Sequence, residues 1–244
     1  MCCHPHAEVK EGREMDMSLT GIIGAMDLEM EALINLLEEE ECATISNVTF
    51  HRGKLFGGDA VLAVCGVGKC FSAICAQTMI LKYHPDRIIN IGVAGGIVEG
   101  LSVGDIVVAN DVVQYDMDTS AVGDPVGLIS GINIVKIPCS PKLSEGLFAA
   151  AKALQIPVLA GTVASGDTFV ASREKKEHIA ETFDTVACEM EGGGIAQACY
   201  VNGVECAILR SISDGINGGG GDYEAFKHTA AEHSAAVLSA FFRG

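Results

Sequence analysis

Short apolar runs rich in β-branched residues alternate with longer runs of helical periodicity, and this alternation constrains the fold more than any other feature of the chain. Strands are expected over 19–25, 60–65, 87–93, 105–113, 158–164, 185–188 and 204–212. Helices are expected over 27–40, 70–83, 141–154, 173–182, 190–202 and 222–242. The last carries Tyr223, Phe226, Ala230, Val237 and Phe241 at spacings of about three and four, or their multiples, with Asp222 as its N-cap. Such alternation predicts an α/β fold with helices on both faces of a largely parallel or mixed sheet. No internal repeat or linker interrupts it, so residues 19–244 are expected to form one domain behind a disordered extension, 1–18. Residues 114–140 fit no regular pattern, and an irregular stretch of that length is usually functional or an interface.

Composition narrows the function classes. A net charge of −16 repels phosphate backbones, which argues against nucleic-acid binding. The apolar runs are too short and too often broken by glycine or charge to cross a bilayer, and the polar N-terminal stretch has no secretory pattern. A cytoplasmic protein with no membrane partner is expected. The ten cysteines include no CxxC pair and read as reduced thiols. "CCHPH", Cys2 to His6, has no second ligand cluster at a suitable spacing, so no metal site is expected.

In sheets of this class, ligands bind beyond the carboxyl ends of the strands. Several apolar runs end there in glycine turns or acids: "GAMDLE" at Glu29, "CGVGK", "GVAGG", "ASGDTF", "ACEMEGGG" at Glu191 and "RSISD" at Asp214. Glu29 lies in the first turn of its helix and borders the apolar stripe, where the helix dipole favours a carboxylate. It is either a site residue or a simple N-terminal charge. Glu191 precedes three glycines that allow close approach of backbone or ligand, and one carboxylate can accept two vicinal hydroxyls; a helix-start acid is the competing role. Glu189 reads as a structural ion-pair partner. Asp214 ends a buried strand. Burial favours the neutral form of a carboxyl group, so such a residue can hold a proton at neutral pH and donate it; a turn residue is the competing role. Arg210 needs an anionic partner, Glu29 or Glu191. Four glycines after Asp214, at 218–221, read as a mobile lid.

Together the segments "GIIGAMDLEMEAL", "GVGK", "NIGVAGG", "VGDIVVANDVVQYDMD", "ASGDTF", "ACEMEGGGIA" and "RSISD" resemble the 5′-methylthioadenosine/S-adenosylhomocysteine nucleosidases, in order, from about Gly21 to Phe242. The resemblance implies a nucleoside phosphorylase-like, three-layer α/β/α sandwich around a twisted mixed sheet. It implies hydrolysis of thioether adenosines to adenine without cofactor or metal. It also implies a homodimer, with residues 114–140 near the interface. Residue by residue, it makes Asp214 the acid that protonates purine N7, with Ser213 holding it, and Glu29 the activator of water. Glu191 would bind the ribose hydroxyls, with Met190 against the sugar and Arg210 steadying the carboxylates. Phe169 would pack on the purine and the backbone of Val170 would read its edge. Met26, Val67 and Tyr223 would line the thioether pocket, and Val122 would reach it from the neighbouring subunit. Val93 stands where bacterial members often carry serine, near the sugar and the acid.

The nearest rival is a nucleoside phosphorylase. Its phosphate site usually has an arginine just before the glycine turn and a serine or threonine after it, where this chain has Asn90 or Ile91 and Val93. A futalosine-type nucleosidase and a non-catalytic nucleoside-binding module also compete. Three carboxylates argue against the binding module, because binding alone needs no proton donor.

Overall fold

The computed structural model describes residues 18–243. The ten strands are β1 (Thr20–Gly24), β2 (Glu38–Ile45), β3 (Val48–Leu55), β4 (Gly58–Val64), β5 (Arg87–Gly96), β6 (Ile106–Gln114), β7 (Lys136–Pro138), β8 (Val158–Ser165), β9 (Thr185–Glu189) and β10 (Glu205–Asp214). The six helices are α1 (Asp27–Ile34), α2 (Lys69–Tyr83), α3 (Pro141–Ala153), α4 (Arg173–Phe183), α5 (Gly192–Asn202) and α6 (Gly220–Arg243).

The strands form one mixed sheet. β1 is parallel to β4 and β5, β5 is parallel to β10, and β6, β8 and β9 run parallel to one another. β10 meets β6 antiparallel, and β9 turns back to pair Cys188 and Ala187 with Gly95 and Gly96 at the end of β5. The far half of the sheet therefore curls closed around β5, β10, β6, β8 and β9. α2 and α5 pack together against one face, and α1, α3 and α6 against the other. Each face buries its own apolar core. One contains Ile23, Phe50, Met79 and Ile195, and the other Ile22, Leu62, Leu147 and Leu238. This is the expected α/β/α sandwich.

Three local expectations need correction. The helix predicted over 27–40 stops at Ile34, and Glu38–Glu41 open β2 instead. β2 is an exposed edge strand, so it lacks the alternation that marks a half-buried one, and its charges suit an edge that must not pair further. It is joined to β3 by Ser46 and Asn47, both at positive φ, as a tight two-residue turn requires. The 114–140 segment is not wholly irregular, because it holds a 3₁₀ turn at Ser120–Val122 and the short strand β7. Finally, α6 begins at Gly220, so Asp222 lies within its first turn and is not its N-cap. "CCHPH" and residues 1–17 lie outside the described residues.

Candidate active site

The strand ends converge as expected on one cavity of about 350 Å³. Met26, Glu29, Val67, Val93, Phe169, Val170, Met190, Glu191, Ser213, Asp214 and Tyr223 all line it. Two predicted residues do not. Arg210 is buried behind the wall, and Val122 is 82% exposed on its 3₁₀ turn, outside the cavity of its own chain.

Glu29 sits in the first turn of α1 but folds inward and is buried. Its Oε2 accepts from the backbone N–H groups of Ala25 (2.7 Å) and Met26 (3.0 Å), and its Oε1 from Val93 N–H (3.0 Å). The carboxylate thus joins the end of β1 to β5. Glycine at position 92 makes this possible, because a Cβ there would lie 2.5 Å from Glu29 Oε1. Burial raises the Glu29 pKa, against the lowering effect of Arg210 and the three backbone amides.

Glu191 precedes α5 and accepts from Gly68 N–H (3.1 Å) at the N-terminus of α2, while Ser72 Oγ donates to its carbonyl (2.9 Å). The following glycines serve protein packing: a Cβ at Gly194 would lie 2.4 Å from the Lys69 carbonyl oxygen. Burial, then the neighbouring Glu189, push the Glu191 pKa up to about 7, with Arg210 opposing them.

Arg210 binds Glu189 and the Asn90 side chain, and lies 3.8 Å from Glu191. Its closest carboxylate is therefore Glu189, not Glu29 or Glu191. Glu189 also accepts from the N–H groups of Glu191 (2.9 Å) and Gly192 (2.7 Å), which fixes the start of α5. The structural role read for Glu189 fits this geometry, although Glu189 also reaches the cavity wall.

Asp214 is presented by a bulge. Ile212 pairs with Ala94 and Asp214 with Gly95, so Ser213 is the extra residue at the strand end. Ser213 Oγ donates to Asp214 Oδ1 (3.0 Å). The opposite side of the carboxylate holds a group that the sequence reading missed. Lys176 of α4, fully buried, donates to Asp214 Oδ2 (2.6 Å) and to the carbonyls of Gly215 (2.7 Å) and Gly218 (3.1 Å). The signal was there: Lys176, Ile179 and Phe183 stand at i, i+3 and i+7, the buried stripe of α4. The same ammonium holds one end of the four glycines read as a lid. Gly218 is tied to Lys176, and Gly220 and Gly221 already belong to α6.

Over the cavity, Phe169 is 44% exposed and meets Tyr223 edge-on at 5.4 Å between centroids. The Tyr223 hydroxyl donates to Met26 Sδ (3.3 Å). The rest of the lining is mostly apolar, with Ala25, Ala94, Gly95, Thr168 and Cys188 adding to the predicted set. Glu40, Cys42 and His51, the only grouped potential metal ligands among the described residues, stand on β2 and β3 and do not line it.

Comparison with known proteins shows the family of the chain. Residues 20–243 match the phosphorylase superfamily. The chain is 34% identical over 225 residues to a 5′-methylthioadenosine/S-adenosylhomocysteine nucleosidase from Shewanella halifaxensis, covering 91% of this chain and 98% of the relative. The Neisseria meningitidis nucleosidase of the same name, in complex with methylthio-immucillin-A, superposes with a TM-score of 0.89 at 31% identity, covering 93% and 99% of the two chains. A futalosine hydrolase from Helicobacter pylori superposes with a TM-score of 0.88 at 33% identity, covering 93% and 98%. At this identity and coverage, the chain belongs to the 5′-methylthioadenosine/S-adenosylhomocysteine nucleosidase family, glycosidic-bond hydrolases within the phosphorylase superfamily.

Proposed function

We propose that the enzyme hydrolyses the N-glycosidic bond of 5′-methylthioadenosine and S-adenosylhomocysteine, and of 5′-deoxyadenosine, releasing adenine. One observation carries this reading: Glu29, Glu191 and Asp214 line a single, mostly apolar cavity roofed by Phe169 and Tyr223. Cleavage passes through an oxocarbenium-like state, which calls for an acid at the leaving base and a second carboxylate to deliver water. Asp214, steadied by Ser213, is the acid at purine N7. Glu29 takes a proton from the attacking water; burial makes it the stronger base once ionised. Glu191 accepts the two ribose hydroxyls, with Met190 against the sugar, while Arg210 holds the acid cluster from behind. Phe169 stacks on the purine, the Val170 backbone reads its edge, and Met26, Val67 and Tyr223 receive the thioether. Val93 replaces a hydroxyl with apolar surface beside the sugar.

Hydrolysis is favoured over phosphorolysis by how the backbone donors are used. The N–H groups of Ala25, Met26 and Val93, which an anion would need, already bind Glu29. The nearby cation, Arg210, is engaged by Glu189. The active form is a cytoplasmic homodimer in which Val122, exposed in the 114–140 segment, completes the neighbouring thioether pocket. Release of the free base, adenine from methylthioadenosine, S-adenosylhomocysteine and 5′-deoxyadenosine and hypoxanthine from futalosine and inosine, with and without phosphate, tests the reading. Rates independent of phosphate with thioether adenosines preferred support it. A ribose-1-phosphate product, or futalosine as the best substrate, overturns it.

A further inference from the structure

The hydrogen bonds around Asp214 fit a carboxylate. A lysine ammonium has three N–H donors, and Lys176 spends them on three acceptors: Asp214 Oδ2, Gly215 O and Gly218 O. A neutral amine would turn a lone pair towards one of them, so this arrangement belongs to the charged form. Ser213 Oγ stands 3.0 Å from the other oxygen of Asp214 and 3.3 Å from the Ala94 carbonyl, and donation to the nearer acceptor leaves both Asp214 oxygens accepting. In that arrangement Asp214 is a carboxylate, whereas the proposed chemistry requires it to give a proton to the leaving base. The other groups around it are poor sources. Cys188, from β9, has a thiol that burial pushes up to about 12. Tyr223, from α6, has its pKa raised by burial, and its hydroxyl donates to Met26. Asp222 flanks Gly218, and Glu29 and Glu191 lie elsewhere on the cavity wall. Lys176 is the only ion-pair partner of Asp214 among the described residues.

We propose that Lys176 is a positioning residue and the source of the proton that Asp214 passes to the leaving base. This rests on the reading of Asp214 as the acid. As the glycosidic bond breaks, its electron pair stays on the base. A proton leaves Lys176 Nζ for Asp214, and an O–H proton of Asp214 forms the new N–H bond on the purine. Lys176 becomes a neutral amine still donating to Gly215 O and Gly218 O. Its lone pair then faces a carboxylate, an arrangement that favours taking a proton back from solvent when product leaves. The same ammonium ties the acid to the loop that begins α6, so proton delivery and the fit of that loop are linked.

Three variants test this, each checked first for a wild-type melting curve. Lys176→Arg keeps a cation beside Asp214, but arginine does not release its proton. The expected result is a fall in kcat of about a hundredfold or more at every pH, with adenine-analogue affinity retained. Lys176→Met leaves Asp214 alone in an apolar site, where it keeps a proton of its own. That variant is expected to work at acidic pH, with the basic limb of kcat/KM moved at least about one pH unit below that of wild type. Wild-type kcat in Lys176→Arg overturns the proposal. A basic limb in Lys176→Met that stays in place or moves up, or inactivity of Lys176→Met at every pH, also overturns it. Asp214→Asn separates this from the underlying reading: if that variant turns over normally, the acid itself was misassigned.

Discussion

Glu29 and Asp214 line the same cavity and are held in contrasting ways. Glu29 rests on three backbone amides, at the end of β1 and in β5. Asp214 rests on side chains, the hydroxyl of Ser213 and the ammonium of Lys176. Backbone donors come with the fold, and short of a proline, which lacks the N–H, they are displaced only by moving the strands. Side-chain donors can be exchanged singly and can carry protons. The contrast suits the two proposed tasks. A base that aims water needs a fixed place, whereas an acid that must be recharged each turnover needs a partner with a proton.

The largest effects should come from breaking each carboxylate. Asp214→Asn should lower kcat by roughly a hundred- to ten-thousandfold while adenine-analogue binding, followed by calorimetry, persists. Glu29→Gln should lose a similar factor, seen in single-turnover adenine release, because an amide cannot take the water's proton. Near-normal rates in either variant would remove that residue from the chemistry.

A smaller change sharpens the contrast by attacking the backbone mount. Gly92→Ala puts a Cβ 2.5 Å from Glu29 Oε1, so β5 or the carboxylate must shift. Overpacking of this kind costs about 1–3 kcal/mol, and the melting temperature should fall together with kcat. If kcat falls while the melting temperature is unchanged, the carboxylate has moved within an intact site. If neither changes, Glu29 is not held as described.

A titration gives a weaker signal. The Glu191 pKa is raised to about 7, so the group gains its charge as pH rises through that value and is neutral below it. An ionised carboxylate accepts both ribose hydroxyls, so affinity for a non-hydrolysable nucleoside analogue should weaken by up to about tenfold from pH 8 to pH 6. Glu191→Gln should abolish this dependence. The smallest effect is expected for Phe169→Ala, which removes one partly exposed aromatic face and should raise KM several-fold with kcat little changed.

Much of this was legible because glycine turns and acids end runs that are otherwise apolar. Glu29, Glu191 and Asp214 each stand out where a buried run meets its end, and all three meet at the rim that the α/β alternation predicts. β2 was hidden, because an edge strand wet on both sides has no alternation to read and four consecutive glutamates look like a helix surface. Arg210 was read as needing Glu29 or Glu191, and packing instead chose Glu189.

The chain's own pattern determined the class of fold, the end of the sheet where the cavity lies, and the acids that line it, since these follow from local periodicity and from the cost of burying charge. Tertiary structure decided which charges meet. Lys176 and Asp214 are 38 residues apart and touch because the turn of α4 and the bulge of β10 bring them together. A lysine in "REKKEH" looks solvated until the rotation of its helix against the sheet is known. Short-range contacts between charges distant in sequence depend on ångström-scale packing, which local composition does not encode.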